Sequence, residues 1–312
     1  MITGASGFIG SNLTRGCLQK GHTVFAFCRF SSGLRDFAAF RGNHQLNIVK
    51  GDITDPTSFE SLHDVDAVFH LAANTDLKKS FNNPLLDLET NVGGTINLLE
   101  WARKRDICLV YFSTGSVYGE PKYIPVDEDH PLFPTSPYAV SKLMAEKYCW
   151  LYSRQYGLNI SILRIFHPYG PCQPISKAIP TFILRIFANR PVLIKGKGDE
   201  TMAFIYVSDL VKAALTALEK GKKGEIYNVG GNEPTSMKEI VSKISYILQK
   251  DPIISFVKKD ESRSPLLLPS IEKAKRDLGF VPEIGLGKGL TKTVDWYLRH
   301  LTGTRSIAGR KR

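Results

Sequence analysis

Cysteine is scarce in this 312-residue chain, and the little there is forms no pattern. The five residues Cys17, Cys28, Cys108, Cys149 and Cys172 are scattered, odd in number and include no C-x-x-C pair. That argues against a disulfide framework or a metal site and predicts reduced thiols in a cytoplasm. Long apolar runs are also missing. No stretch approaches the roughly 18–20 residues of a membrane span. No basic stretch followed by an apolar core opens the chain, so no signal peptide is expected. Acidic residues are the minority charge, 30 Asp and Glu against 41 Lys and Arg, and the net charge is +11. Such a surface can attract nucleic acid or phosphorylated molecules. Part of the excess is local: Arg305, Arg310, Lys311 and Arg312 crowd an acid-free end that reads as a solvated tail. Aromatic residues do not interleave with basic clusters as single-strand binding uses them, so a nucleic-acid binder is the weakest of the readings.

What is there is rhythmic. Short apolar runs at His22–Phe27, Ile48–Lys50, Ala67–Leu71 and Cys108–Phe112 alternate with helix-like stretches at Phe8–Lys20 and Leu85–Arg103. This βαβα order predicts an α/β fold, a doubly wound parallel sheet covered on both faces. Asp55-Pro56 reads as a helix start and Gly21 as a helix stop. Beyond about residue 170 the rhythm loosens and prolines cluster. There the pattern predicts a helix over Thr181–Asn189, a strand at Pro191–Lys195, a loop at Gly196–Glu200 and a helix near Ser208–Lys220. A strand at Glu225–Val229 and a helix opened by the capping box Ser236–Glu239 follow. No low-complexity linker separates the two regions, so the second is expected to pack on the first.

The chain opens MITGASGFIGS, with Gly4, Gly7 and Gly10 three residues apart. Glycines between a strand and a helix let a pyrophosphate approach the backbone and the positive end of the helix. At the tip of the second strand, Cys28-Arg29 carries no acid to accept from a ribose 2′-hydroxyl. Arg29 with Ser31 and Ser32 suits a 2′-phosphate, which leans the expected cofactor from NAD toward NADP. Asp52, after the third strand, is placed to reach the adenine.

Ser136-Pro137-Tyr138-Ala-Val-Ser-Lys142 is the most informative stretch. Ser136 caps, Pro137 fits the first helical position, and Gly157 stops the helix. Tyr138 and Lys142, four apart, share a face. An ammonium beside the phenol is expected to favour phenolate and make Tyr138 a general base or acid. Thr114, at the end of the strand Cys108–Phe112, is placed to donate to the same substrate oxygen.

In this order and spacing the motifs resemble the extended short-chain dehydrogenase/reductase family, in particular its NAD(P)-dependent nucleotide-sugar epimerases and dehydratases. Carrying the resemblance are Gly4–Gly10, Gly51-Asp52-Ile53, His70-Leu71-Ala72-Ala73, Asn91-Val-Gly-Gly-Thr, Ser113-Thr114, Tyr138-x-x-x-Lys142, Tyr169-Gly-Pro, Phe204–Asp209 and Tyr227-Asn228-Val-Gly-Gly. It implies a Rossmann cofactor domain over 1–170, with a returning segment at about 203–231, and a smaller α/β substrate domain over 171–312. It implies a cofactor held by Gly4, Gly7, Phe8, Ile9, Gly10, Arg29, Asp52, Ile53, Leu71, Ala72, Ala73, Asn91, Tyr138 and Lys142. Thr114, Tyr138 and Lys142 become the catalytic set, with Thr114 also a substrate contact; where this chain departs from the family, His167 and one of Lys195, Lys197 or Arg263 are the candidate substrate contacts. A homodimer is the expected assembly.

Departures from the family pattern narrow the expectation. Where dehydratases carry Asp-Glu after the threonine, this chain has Gly115-Ser116, which points to an epimerase, most simply at C4. His167 replaces an asparagine, and Ser270 an aspartate. Met202 stands where an arginine would hold the substrate diphosphate. That leaves a reductase or dehydrogenase acting on a substrate without a diphosphate as the alternative. The family's first strand begins several residues earlier, so either the natural chain starts upstream or the protein is less stable than its relatives.

Overall fold

A computed structural model describes residues 1–29, 40, 42–258 and 267–308, with side chains through residue 300. The first half builds the predicted alternation: β1 (Ile2–Thr3), α1 (Phe8–Gln19), β2 (Val24–Cys28), β3 (Leu46–Lys50) and β4 (Ala67–His70). Then come α2 (Leu77–Asn82), α3 (Pro84–Asp87), α4 (Gly94–Arg103), β5 (Cys108–Thr114), α5 (Pro137–Tyr156) and β6 (Ile160–Ile165). The second half holds β7 (Pro168–Tyr169), α6 (Ala178–Phe187), β8 (Val192–Lys195), β9 (Thr201–Ala203), β10 (Ile205–Tyr206) and α7 (Val207–Lys220). The last elements are β11 (Ile226–Val229), β12 (Pro234–Ser236), α8 (Met237–Leu248), β13 (Ile254–Val257), α9 (Glu272–Leu278) and α10 (Leu286–Ala308).

Seven strands form one parallel sheet in the order β11-β6-β5-β4-β1-β2-β3. Strand order reverses between β1 and β4, so a crevice opens there at the carboxyl ends. Hydrophobic faces explain the layers. On one side α1 and α7 bury Leu13, Leu18, Leu210 and Ala214. On the other, α4 and α5 bury Leu98, Leu99, Ala145 and Cys149. β1 is only two residues long, yet it sits at the centre and both residues are buried. The Met1 amino group extends its pairing by donating to Ala67 O at 2.7 Å. Burial pushes that ammonium down to about 6.

A third apolar cluster, around Phe182, Ile194, Ile240 and Leu290, unites α6, β8, α8 and α10. The chain crosses back through β7, which pairs with β10, and through β11, which pairs with β6. Asp209 on α7 accepts from Glu283 N at 3.1 Å and Ile284 N at 2.9 Å, pinning the entry to α10. Among the described residues no helix is long and apolar enough to cross a membrane.

Two expectations need correction and one a refinement. The helix predicted over Leu85–Arg103 forms, with a turn of π-helix, Leu88–Gly93, joining α3 to α4 inside it. Asp55-Pro56 starts only one 3₁₀ turn, Pro56–Phe59, because Phe59 then drops into the core against Phe27, 5.2 Å between ring centres. α6 begins at Ala178 rather than Thr181, since Pro180 is tolerated in a first turn.

Candidate active site

One cavity of about 770 Å³ occupies the crevice. Its floor is made by the ends of β1 to β6, and its far wall by the loop 173–179 with Met202, Phe204 and Met237. Most of the expected site residues line it: Gly4, Gly7, Phe8, Ile9, Gly10 and Arg29, then Asp52, Ile53, Leu71, Ala72 and Ala73. Thr114, Tyr138, Lys142 and His167 line it as well.

The glycine turn is a cradle with no room for side chains. Gly4 has φ +68°, and a Cβ on it would stand 2.9 Å from Ala72 N. A Cβ on Gly10 would stand 2.2 Å from Gly4 O. Gly7 caps α1 without a side chain, which leaves the first N–H groups of the helix facing the cavity. These features fit the pyrophosphate of a dinucleotide. At the far end of this lobe the Arg29 guanidinium lies 4.0 Å from Asp52 Oδ2. Asp52 Oδ1 accepts from Thr54 N at 2.9 Å and from its hydroxyl at 2.8 Å.

Buried hydrogen bonds hold the wall at 71–73. Thr3 Oγ1 accepts from Leu71 N and Ala72 N, both at 3.1 Å, so its own proton goes to His70 Nδ1 at 2.7 Å. His70 Nε2 then donates to Thr95 Oγ1 at 3.0 Å, and Thr95 donates to Asn91 O at 2.6 Å. Burial and the nearby Lys142 charge push the His70 imidazole down to about 3, which keeps it neutral in this chain of bonds.

A second buried network joins the strands to α5. Glu146 takes the Arg164 guanidinium in a two-pronged pair, Nη2 to Oε2 at 2.8 Å and Nε to Oε1 at 3.1 Å. Ser113 Oγ also donates to Glu146. Arg164 reaches Tyr118 OH at 2.9 Å, which donates to Asn228 Oδ1 at 2.7 Å. Thr114 is thereby fixed relative to the helix that carries Tyr138 and Lys142.

The Tyr–Lys pair itself departs from expectation. Burial is the main force on both groups. It pushes the Tyr138 phenol up to about 12, only partly offset by the Thr114 hydroxyl, while Asp87 adds a further push. It pushes Lys142 down to about 8. The Lys142 ammonium lies 4.2 Å from the centre of the Tyr111 ring and makes no hydrogen bond to a described residue. Among the described residues its donors are unused at the cavity wall, where they could meet a hydroxyl-bearing ligand.

Two expected contacts are off the wall, and a third falls outside the described residues. Asn91 is 1% exposed behind it, where its amide holds Asn74 and Ser141. The π turn swings it inward to do so. Lys195 is exposed because strand alternation on β8 buries Val192 and Ile194 and turns its neighbours out. Arg263, like Ser31 and Ser32, falls outside the described residues. Gln173, Lys177 and Met237 line the cavity without having been marked as site residues by the sequence, and Phe204 joins them from the motif 204–209. Pairing of β7 with β10 and packing of α6 bring them there.

A cradle for pyrophosphate, a free lysine and a tyrosine–threonine pair at the carboxyl ends of a doubly wound sheet define a dinucleotide-dependent enzyme. The profile of the NAD dependent epimerase/dehydratase family matches residues 1–230. The chain belongs to that family. It is 37% identical to a putative UDP-glucose 4-epimerase of Methanocaldococcus jannaschii, over 95% of this chain and 97% of that one. The UDP-glucose 4-epimerase of Thermotoga maritima, solved with UDP-glucose, has a TM-score of 0.89 at 31% identity, covering 96% and 98% of the two chains. A double mutant of the dTDP-glucose 4,6-dehydratase of Streptomyces venezuelae, solved with NAD, has a TM-score of 0.90 at 29% identity, covering 97% of each.

Proposed function

We propose that this protein epimerises a nucleotide sugar, most simply at C4, by reversible oxidation of a sugar hydroxyl. The observation that carries this reading is the chemistry of the cavity wall. It offers Thr114, Tyr138 and Lys142, yet among the described lining residues Asp52 is the only carboxylate, and it sits at the β3 end beside Arg29. Removing water from a keto sugar needs one group to take a proton from carbon and another to protonate the leaving hydroxyl. Gly115 and Ser116, which follow Thr114, bring no carboxyl group for either step. Packing enforces the absence: a Cβ on Gly115 would stand 2.6 Å from the Phe166 ring, and Phe166 is 2% exposed and stacked on Tyr118.

A nicotinamide coenzyme held at Gly4, Gly7, Gly10 and Lys142 would supply a reversible hydride acceptor for the sugar carbon. Tyr138 takes the hydroxyl proton and gives it back, Thr114 donates to the same oxygen, and Lys142 binds ribose hydroxyls and favours the phenolate once they are in place. His167, Gln173 and Lys177 hold the substrate. The cofactor unit comprises residues 1–170 with 203–231 returning to it, and the rest of 171–312 forms the substrate unit. Two copies pair through α5.

Met202 favours one second reading. It lines the cavity at 5% exposure, beside Ala203 at 2%, and supplies no charge for a diphosphate. A reductase of a substrate lacking that group would use the same catalytic set. The test is incubation of the purified protein with UDP- and GDP-sugars, each with NAD or NADP. Interconversion of 4-epimers without net change in coenzyme absorbance is expected, and tighter binding of NADP follows from Arg29. Turnover only with a non-nucleotide carbonyl, accompanied by loss of reduced coenzyme, replaces the first reading with the second.

A further inference from the structure

A buried charge beside the site has no part in this chemistry. Asp87 ends α3 and is 1% exposed. The Asn74 side-chain amide donates to its Oδ1, while Oδ2 has no partner, and among the described residues Asp87 forms no ion pair. A carboxylate so placed is costly and calls for a compensating role.

Its connections lead to the catalytic tyrosine. Asn74 N donates to Asn91 Oδ1 at 2.7 Å, Asn91 Nδ2 donates to Ser141 Oγ at 2.9 Å, and Ser141 donates to Tyr138 O at 2.8 Å. Tyr138 N donates to Ser80 Oγ at 2.7 Å on the neighbouring α2. Asn74 lies between Ala73 and Thr75, both on the cavity wall. α3 packs against α5, and the Asp87 charge reaches the Tyr138 phenol. The other ionisable groups facing this part of the cavity are Lys142 from α5 and His167 after β6. Glu146, one turn beyond Lys142, is already neutralised by Arg164.

We infer that Asp87 is a positioning residue for this site, anchoring the wall at 72–75 to the first turn of α5 and setting an uncompensated negative charge behind Tyr138. A nicotinamide ring is positive when oxidised and neutral when reduced. The fixed charge therefore stabilises the oxidised form more than the reduced one and keeps the resting protein ready to accept hydride. The inference rests on the cavity being the coenzyme site, which coenzyme binding to the unaltered protein tests separately.

The experiment is calorimetric titration of the full chain with oxidised and reduced NAD and NADP, for the parent, Asp87→Asn and Asp87→Leu. In Asp87→Asn the preference for the oxidised form should fall roughly five- to tenfold, the scale of one charge at medium range in a partly polar interior. Asp87→Leu should show the same fall and also bind both forms more weakly, because the Asn74 bond is lost. Asn74→Ala, which keeps the charge and breaks the anchor, should weaken both forms and preserve their ratio. An unchanged ratio in Asp87→Asn overturns the charge role. Unaltered affinities in Asn74→Ala overturn the anchoring role, and this arm stands even where Asp87→Leu fails to fold.

Discussion

Lys142 carries the conflict between stability and function in one side chain. Its ammonium is buried and lies over the Tyr111 ring, and among the described residues it is bonded to no carboxylate. Replacing it with methionine should abolish turnover yet raise the melting temperature by a few degrees, since one pKa unit is worth about 1.4 kcal/mol of differential stability. The sign with pH follows from a folded value lowered from 10.5 to about 8. Below pH 8 both folded and unfolded lysine are charged and the burial penalty is complete. Between 8 and 10.5 the unfolded chain holds the extra proton, so the parent gains stability as pH rises. Melting curves of parent and Lys142→Met should therefore converge over that window. A constant gap would show that the ammonium is not what destabilises the parent. The lysine's place in a Tyr-x-x-x-Lys pair was legible from spacing alone. That burial pushes the phenol up and the ammonium down was not, because desolvation depends on which distant segments pack around the pair.

At the scale of elements, α5 is what the sequence announced: Ser136 accepts from Ala139 N, Pro137 opens the helix, and Gly157 ends it in the left-handed region. Local chemistry suffices for such a helix. The stretch 85–103 is different: it is helical throughout, but the π turn within it accompanies bonds that join Asn91 to Asn74 and Ser141. β5, α5, β6 and β11 are locked by the Glu146–Arg164 pair and its branches to Ser113, Tyr118 and Asn228. Glu146→Ala leaves a buried guanidinium uncompensated and should cost about 3–5 kcal/mol in denaturant unfolding. A loss below about 1 kcal/mol would mean that water replaces the carboxylate. No sequence pattern marked this pair, because its members sit 18 residues apart on a helix and a strand that meet only after folding.

For the whole molecule, the outer surface of α5 is the feature that internal packing leaves unused. Val140, Met144 and Leu151 are 49%, 41% and 39% exposed, and Phe81 and Leu85 beside them are 47% and 64% exposed. An apolar stripe of this kind beside a catalytic helix suits a second copy of the same chain. The parent should sediment as a dimer, and Leu151→Glu combined with Met144→Glu should sediment as a monomer. A monomeric parent would remove the homodimer.

The sequence by itself determined the class of fold and pointed to the glycine turn and to the proposed trio Thr114, Tyr138 and Lys142, since strand–turn–helix order, glycine spacing and a helical i, i+4 pair are local facts. Ile2 and Thr3 take the central place, flanked by β2 and β4. Only the tertiary structure decided what surrounds that trio. It brought Gln173, Lys177 and Met237 to the wall, took Asn91 and Lys195 off it, pressed Phe166 against Gly115 and left the charge of Asp87 behind Tyr138. Those outcomes depend on which distant segments pack together, and on how much water that packing removes from each ionisable group.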